Sequence, residues 1–372
     1  MKKKRIAFIV NGGIGGNYKG EGNCWFIELC EEIAKSYELT VFSFVRVVPD
    51  FKPKGYQLIG IPFEGYTHVL IRFIYLFFKL IYFCVKYRYT IIHAFWAFPS
   101  GTLALMIGKL LGIKTAITVA GGEVTSIPAI NYGLFQSGLT KNFIKYTAKY
   151  VDVLIAPSHY QSKKLNSALS YRKIVVIPFG IDLAKFPVTE KTLESPYQFI
   201  YLGDINKVKD LPTLIKTFQK ITQYVDAQLD VLGLDTLDGE IQALAKQMDL
   251  SDKVTFHGRQ PNRELTTYLR QAHILLHTAL SDAQIVAVNE ALASGVVVCG
   301  TRVGLIDDLE NRITLAAPVG DINALVENVL LLIRKPELYN ELRLNGIAWS
   351  KTHDLTAQSE KYANLYESLL AN

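Results

Sequence analysis

Short apolar runs alternating with helical stretches constrain this chain more than any other feature. Six such runs are RIAFIV, ELTVFSF, TIIHAFW, KTAITVA, VDVLIAP and KIVVIP; five more follow as QFIYLG, AQLDVLG, KVTFHG, HILLHT and VVVCG. Each is brief and rich in β-branched residues, the pattern of a strand buried on both faces. Helical patterns separate most of them, and this alternation predicts parallel sheets covered by helices on both sides. One sheet of eleven parallel strands is uncommon, so 372 residues are expected to form two doubly wound α/β domains. The rhythm breaks over residues 178–198, a stretch with three prolines and little periodicity. The reading is therefore a Rossmann-like domain over 1–180, a second over 181–354, and a last helix over 355–372.

Composition narrows the class. The apolar set is 49% and charged residues are 20%, which builds packed cores and excludes global disorder. Residues 1–180 carry 22 Lys and Arg against 9 Asp and Glu, a net +13, while residues 181–372 carry 18 against 25, a net −7. A basic first half points to an anionic partner. No nucleic-acid-binding module accompanies it, which leaves an anionic membrane as the expected contact. Cys24, Cys30, Cys84 and Cys299 form no CxxC pair and suit a reducing compartment. The opening MKKKRIAFIV has too short an apolar run for a signal peptide. The expectation is a cytoplasmic protein, peripheral at most on the inner membrane face.

VLIRFIYLFFKLIYFCVKYRY is the most apolar tract, but Arg72, Lys79 and Lys86 recur every seven residues within it, which is costly in lipid. That spacing aligns the cations on one helical face. Two readings stay open: a helix covering the sheet with a solvated basic edge, or an amphipathic helix lying on anionic lipid.

Open parallel sheets bind ligands beyond the carboxyl ends of their strands. After the first run comes NGGIGGNYKGEGN, a glycine loop opening a helix. It matches neither GxGxxG nor GxxxxGK[ST]. AGGEVTS follows KTAITV and places Glu123 at a strand end. QFIYLGDINKVKDLP sets Asn206, Lys207 and Lys209 before a helix, with Asp210 as its expected N-cap and Pro212 in its first turn. In LSDAQIVAVNEALASG a helix is expected from about Ala283, with Glu290 two turns in and under Asp282. Its free N–H groups would receive a diphosphate, and Glu290 would accept hydrogen bonds from ribose hydroxyls. His273 and His277 lack the HExxH pattern and read as structural histidines. No DxD triplet is present to hold a metal–diphosphate.

Taken together these stretches resemble the retaining GT-B-fold glycosyltransferases of family 4. SDAQIVAVNEALASG resembles the family's E-x7-E block, VIPFGIDLAKF its interdomain linker, and YLGDINKVKDLP its donor-diphosphate loop. HAFWAFPSG and AGGEV resemble two of its first-domain segments. The chain departs from the usual pattern at Asp282, Ala283–Ile285, Asp204 and Ala120. The resemblance implies two Rossmann-like domains with a cleft between them, the first for the acceptor and the second for a nucleotide-sugar donor. It implies retained configuration and no metal or other cofactor. Lys209, Asp282 and Glu123 would be catalytic. Gly20, Gly22, Asn206, Lys209, Arg259, Glu290 and the backbone at Ile285 and Val286 would bind the donor. The acceptor would be a glycan or lipid-linked precursor of the bacterial envelope. The rival expectations are a GT-B nucleotide-sugar epimerase and a non-catalytic partner subunit that binds the nucleotide sugar.

Overall fold

The computed structural model describes residues 3–15, 23–63, 68–169 and 174–371; Gly20 and Gly22 lie outside the described residues. The chain forms two compact units, residues 1–180 with 355–372, and residues 181–354. The first unit holds β1 (Arg5–Val10), β2 (Glu38–Ser43), β3 (Gln57–Ile59), β4 (Ile91–Phe95), β5 (Lys114–Thr118), β6 (Val153–Ala156) and β7 (Ile174–Val176). The second holds β8 (Tyr197–Leu202), β9 (Ala227–Leu232), β10 (Val254–Gly258), β11 (Ile274–His277), β12 (Val297–Thr301) and β13 (Thr314–Ala317). The helices are α1 (Cys24–Ser36), α2 (Val69–Tyr87), α3 (Thr102–Leu111), α4 (Gly138–Tyr150), α5 (His159–Ala168), α6 (Leu211–Ile221), α7 (Glu240–Gln247), α8 (Asn262–Gln271), α9 (Val286–Ala293), α10 (Gly304–Asp308), α11 (Ile322–Arg334), α12 (Pro336–Thr352) and α13 (Leu355–Ala371).

The strand orders are β3-β2-β1-β4-β5-β6-β7 and β10-β9-β8-β11-β12-β13, and the pairings are parallel throughout. Each order reverses direction once, between β1 and β4 in the first sheet and between β8 and β11 in the second. Loops leaving two such strands diverge, and that divergence opens a crevice at their carboxyl ends. The eleven apolar runs all appear as strands. Two more, β3 and β13, were not foreseen. Both are short edge strands, and their ladders with β2 and β12 supply what their own sequence does not.

Alternation along β1 divides the first unit's core. Ile6, Phe8 and Val10 pack with α1 and α13, whereas Ala7 and Ile9 pack with α2, α3, α4 and α5 on the other side. His93 on β4 ties α13 to the sheet. Its ring bonds the Tyr366 hydroxyl at 2.6 Å and the Thr118 hydroxyl at 2.8 Å. Burial pushes its pKa down to about 3, so the ring is neutral. One nitrogen then donates and the other accepts.

In the second unit, α6 and α11 close one side of the sheet over Tyr201, Leu214, Phe218, Val231 and Val329. Gly233 is required where β8 and β9 run out, because a Cβ there would meet the Gly203 carbonyl oxygen at 1.8 Å.

Candidate active site at the strand ends of the second unit

β8 and β11 are paired neighbours, so the segments leaving them begin side by side. The first makes a 3-10 turn over Lys207–Lys209, capped by the Asn206 side chain, which accepts from the Lys209 N–H at 3.3 Å. Asp210 then adopts a left-handed backbone (φ 49°) at the N-cap position of α6, with Pro212 in the first turn as expected. Its carboxylate accepts from the Thr213 hydroxyl at 2.6 Å.

The second segment brings Asp282 to Lys209. The Lys209 ammonium donates to Asp282 Oδ2, and Asp282 Oδ1 accepts from the Ala283 N–H at 2.7 Å. The two side chains keep 18% and 17% of their exposure, so the pair is shielded but reachable. Burial works against ionisation of Asp282. Lys209, His277 and the Ala283 N–H outweigh it and hold the carboxyl below its ordinary value. Each carboxylate oxygen still has a second lone pair available.

The helix expected from Ala283 begins three residues later, at Val286. Ile285 stops it, with a left-handed backbone at φ 73° that a β-branched residue rarely adopts. Asp282 therefore stands in the loop ahead of α9, not above Glu290 on one helix face. Gly304 supports this loop from behind. Its own φ is +55°, and a Cβ there would press to 3.1 Å from the Gln284 nitrogen. The N-cap residue Ile285 makes no side-chain cap, and the Val288 N–H donates to the Ile285 carbonyl at 3.0 Å. Val286, Ala287 and Glu290 are the half-exposed positions of an otherwise buried helix. Val286 and Glu290, four apart, share a face.

The structure thus brings Lys209, Asp282 and Asn206 together and turns the Val286–Glu290 face of α9 toward solvent. Arg259 is exposed directly after β10, at the end of the outermost strand on the β8 side of the sheet. Glu123, expected to be catalytic, lies in the loop after β5. It is completely buried, and its carboxylate accepts from the N–H groups of Ala120 at 3.0 Å and Gly121 at 2.7 Å. These bonds shape the loop after β5.

Two residues, Thr278 and Asn11, escaped sequence reasoning, while the sequence already reads His277 as a structural histidine. Thr278 donates to the carbonyls of Lys209 (3.1 Å) and Asp210 (3.0 Å), fastening the lysine turn to the end of β11. A hydroxyl one residue past a strand was the available signal. His277 is fully buried behind the ion pair, stacked on Tyr201 at 6.0 Å, with its pKa driven down to about 3 by burial and by Lys209. Asn11, at the switch point of the first unit, holds the loop after β4 by donating to the Phe98 carbonyl (2.9 Å) and accepting from the Ser100 N–H (3.2 Å). His273 is structural, as expected. Its ring accepts from the Gln198 N–H at 3.1 Å.

Two doubly wound units, each built on a parallel sheet, are the architecture of the GT-B fold. Residues 185–349 match the family Glycosyl transferases group 1, and residues 25–185 match Glycosyltransferase Family 4. The chain belongs to the GT-B glycosyltransferases of family 4, transferases acting on glycosyl groups. It is 24% identical over 295 residues to the N-acetyl-alpha-D-glucosaminyl L-malate synthase of Bacillus anthracis, covering 75% of this chain and 74% of that protein. Two solved structures share the fold. The sucrose-phosphate synthase of Thermosynechococcus elongatus superposes with a TM-score of 0.83 at 19% identity, over 99% of this chain and 100% of that one. HepE of Anabaena, solved with UDP and glucose, gives 0.78 at 13% identity, over 98% and 100%.

Proposed function

We propose that this glycosyltransferase moves a sugar from a nucleoside diphosphate sugar to an acceptor hydroxyl with retention of anomeric configuration, and does so without a metal ion. The observation that carries this reading is the Lys209–Asp282 pair at the β8/β11 switch point, with the start of α9 on the same segment as Asp282. A departing diphosphate gathers negative charge as its bond to the anomeric carbon breaks. A fixed ammonium and the N–H groups of a helix start stabilise that charge where it develops. In this reading Asp282 holds Lys209 in place and offers its remaining lone pairs to the donor sugar. The leaving phosphate oxygen takes the acceptor's proton on the face where the new bond forms. Transfer that persists in excess EDTA is the corresponding expectation. The UDP in HepE supports a nucleotide donor in this fold.

Glu290 is proposed to bind the donor ribose through its two vicinal hydroxyls. Glu290→Ala is expected to weaken nucleoside diphosphate binding about tenfold, the ~1.4 kcal/mol scale of a charged hydrogen bond, with the thermal unfolding midpoint of the free protein little changed. Calorimetry across a panel of nucleoside diphosphates checks this, and an unaltered affinity removes Glu290 from the donor site.

The first unit is proposed to bind the acceptor, a glycan or lipid-linked precursor of the bacterial envelope. The net +13 of residues 1–180 suits phosphate-bearing precursors.

A further inference from the structure

One side of the first unit carries apolar residues that remain exposed. α2, α3 and α4 lie on that side of the sheet, with α3 packed against both of the others. α2 buries Leu76, Leu80, Phe83 and Cys84. It also presents a second stripe away from the sheet: Ile71, Ile74, Phe78, Tyr82 and Val85, at helical spacings of three and four. All five are exposed, Phe78 at 66%. α4 repeats the arrangement with Leu139 (71% exposed), Phe143, Tyr146 and Tyr150, and α3 adds Met106 and Leu110. A helix that is apolar all round is ordinarily buried all round. A contiguous exposed apolar patch marks a surface that meets something apolar.

Charge identifies the occupant. α2 carries Arg72, Lys79 and Lys86, α3 carries Lys109, and α4 carries Lys141, Lys145 and Lys149; the three helices contain no Asp or Glu. On the opposite side of the sheet, α1 and α13 carry Glu28, Glu31, Glu32, Glu360 and Glu367 against only Lys35 and Lys361. The basic excess of the first half is therefore gathered on the apolar side. Along α2 each cation follows an outward apolar residue by one position, about 100° round the helix, so the cations edge the stripe and do not form the exposed face. Lys86 lies over the Tyr82 ring at 5.5 Å and donates to its hydroxyl at 3.3 Å, and Lys149 lies over Tyr150 at 5.1 Å. Aliphatic stems beside aromatic rings with ammonium heads at the rim suit the boundary between acyl chains and headgroups. A second copy of the same face would bring like charges together. Among the described residues no helix is long and apolar enough to cross a membrane.

We infer that α2, α3 and α4 form a surface that lies on an anionic bilayer, with the apolar stripes in the headgroup–acyl boundary and the lysine and arginine heads on lipid phosphates. The inference stands apart from the sugar-transfer reading. Vesicle binding is measured without donor or acceptor, so failure of one leaves the other standing.

The test is flotation of the full chain with vesicles of phosphatidylcholine alone or mixed equally with phosphatidylglycerol. Recovery with the mixed vesicles is expected to exceed that with the neutral ones at least ~tenfold and to fall as salt rises. A Phe78→Glu, Leu110→Glu, Leu139→Glu triple variant alters only exposed side chains and is expected to lose at least ~tenfold in partition. As a second readout, Phe78→Trp is expected to blue-shift in emission and to be quenched by brominated lipid. The inference is overturned by equal recovery of wild type and triple variant, by no recovery with mixed vesicles, or by a dimer in sedimentation that the triple variant dissolves.

Discussion

Replacing Lys209 with alanine is expected to lower kcat by ~10²–10³, or ~2.7–4 kcal/mol, the usual cost of removing one preorganised group from the charge developing in a transition state. The lysine is placed to act this way by four constraints. It ends a turn capped by Asn206, its carbonyl is held by Thr278, its ammonium is tethered by Asp282, and it follows β8 at the switch point of the sheet. An ammonium fixed before the reaction begins costs nothing to orient when the bond breaks. The donor KM should change less than kcat, because the charge it meets grows toward the transition state. Steady-state kinetics with a turned-over donor reads both terms, and thermal unfolding separates lost chemistry from lost fold. A fall in kcat of less than about threefold, under 1 kcal/mol, removes Lys209 from the mechanism.

The second large effect concerns stability. Burial raises the pKa of Glu123 from 4.5 to about 7, against the N–H groups of Glu123 itself, Ala120, Gly121 and Ala97, which act to lower it. The folded protein therefore holds this proton more tightly than the unfolded chain. The sign follows from linkage: the contribution is fully present below about pH 4.5 and is lost as pH rises through about 7. A displacement of this size is worth on the order of 3 kcal/mol. Glu123→Gln cannot ionise, so its unfolding free energy should lack this fall, although its single acceptor oxygen satisfies fewer of the surrounding N–H groups. Denaturant unfolding at a series of pH values compares the two proteins. Parallel curves from pH 4.5 to 7 would show that burial does not govern this carboxyl.

Glu123 also shows where legibility stopped. From the sequence, AGGEV offered a carboxylate at a strand end, a position that serves catalysis and loop-building equally well. The packing that closes the side chain off completely is not written in those five residues. Asp282 and Glu290 were legible as a pair because acidic residues in an apolar stretch need a reason. The eight-residue spacing suggested one continuous helix, and a left-handed Ile285 broke it. Nothing in the identity of an isoleucine announces that conformation; it is imposed by the loop it joins and by Gly304 behind it.

The basic helix α2 gives the same lesson. A seven-residue repeat of cations was visible in the sequence and suggested a charged face. Which side of an all-round apolar helix meets the sheet is not written in that repeat, and the answer left apolar residues outward with the cations at their edge.

By itself the sequence determined the alternation of strand and helix and the parallel sheets. These follow from periodicity and breakers, which act between residues close in the chain. The tertiary structure decided which strands lie side by side. The meeting of Lys209 with Asp282 is a consequence of β8 pairing with β11, a contact across seventy-three residues. No local pattern encodes it, because it is fixed by the order in which buried strands pack into one sheet.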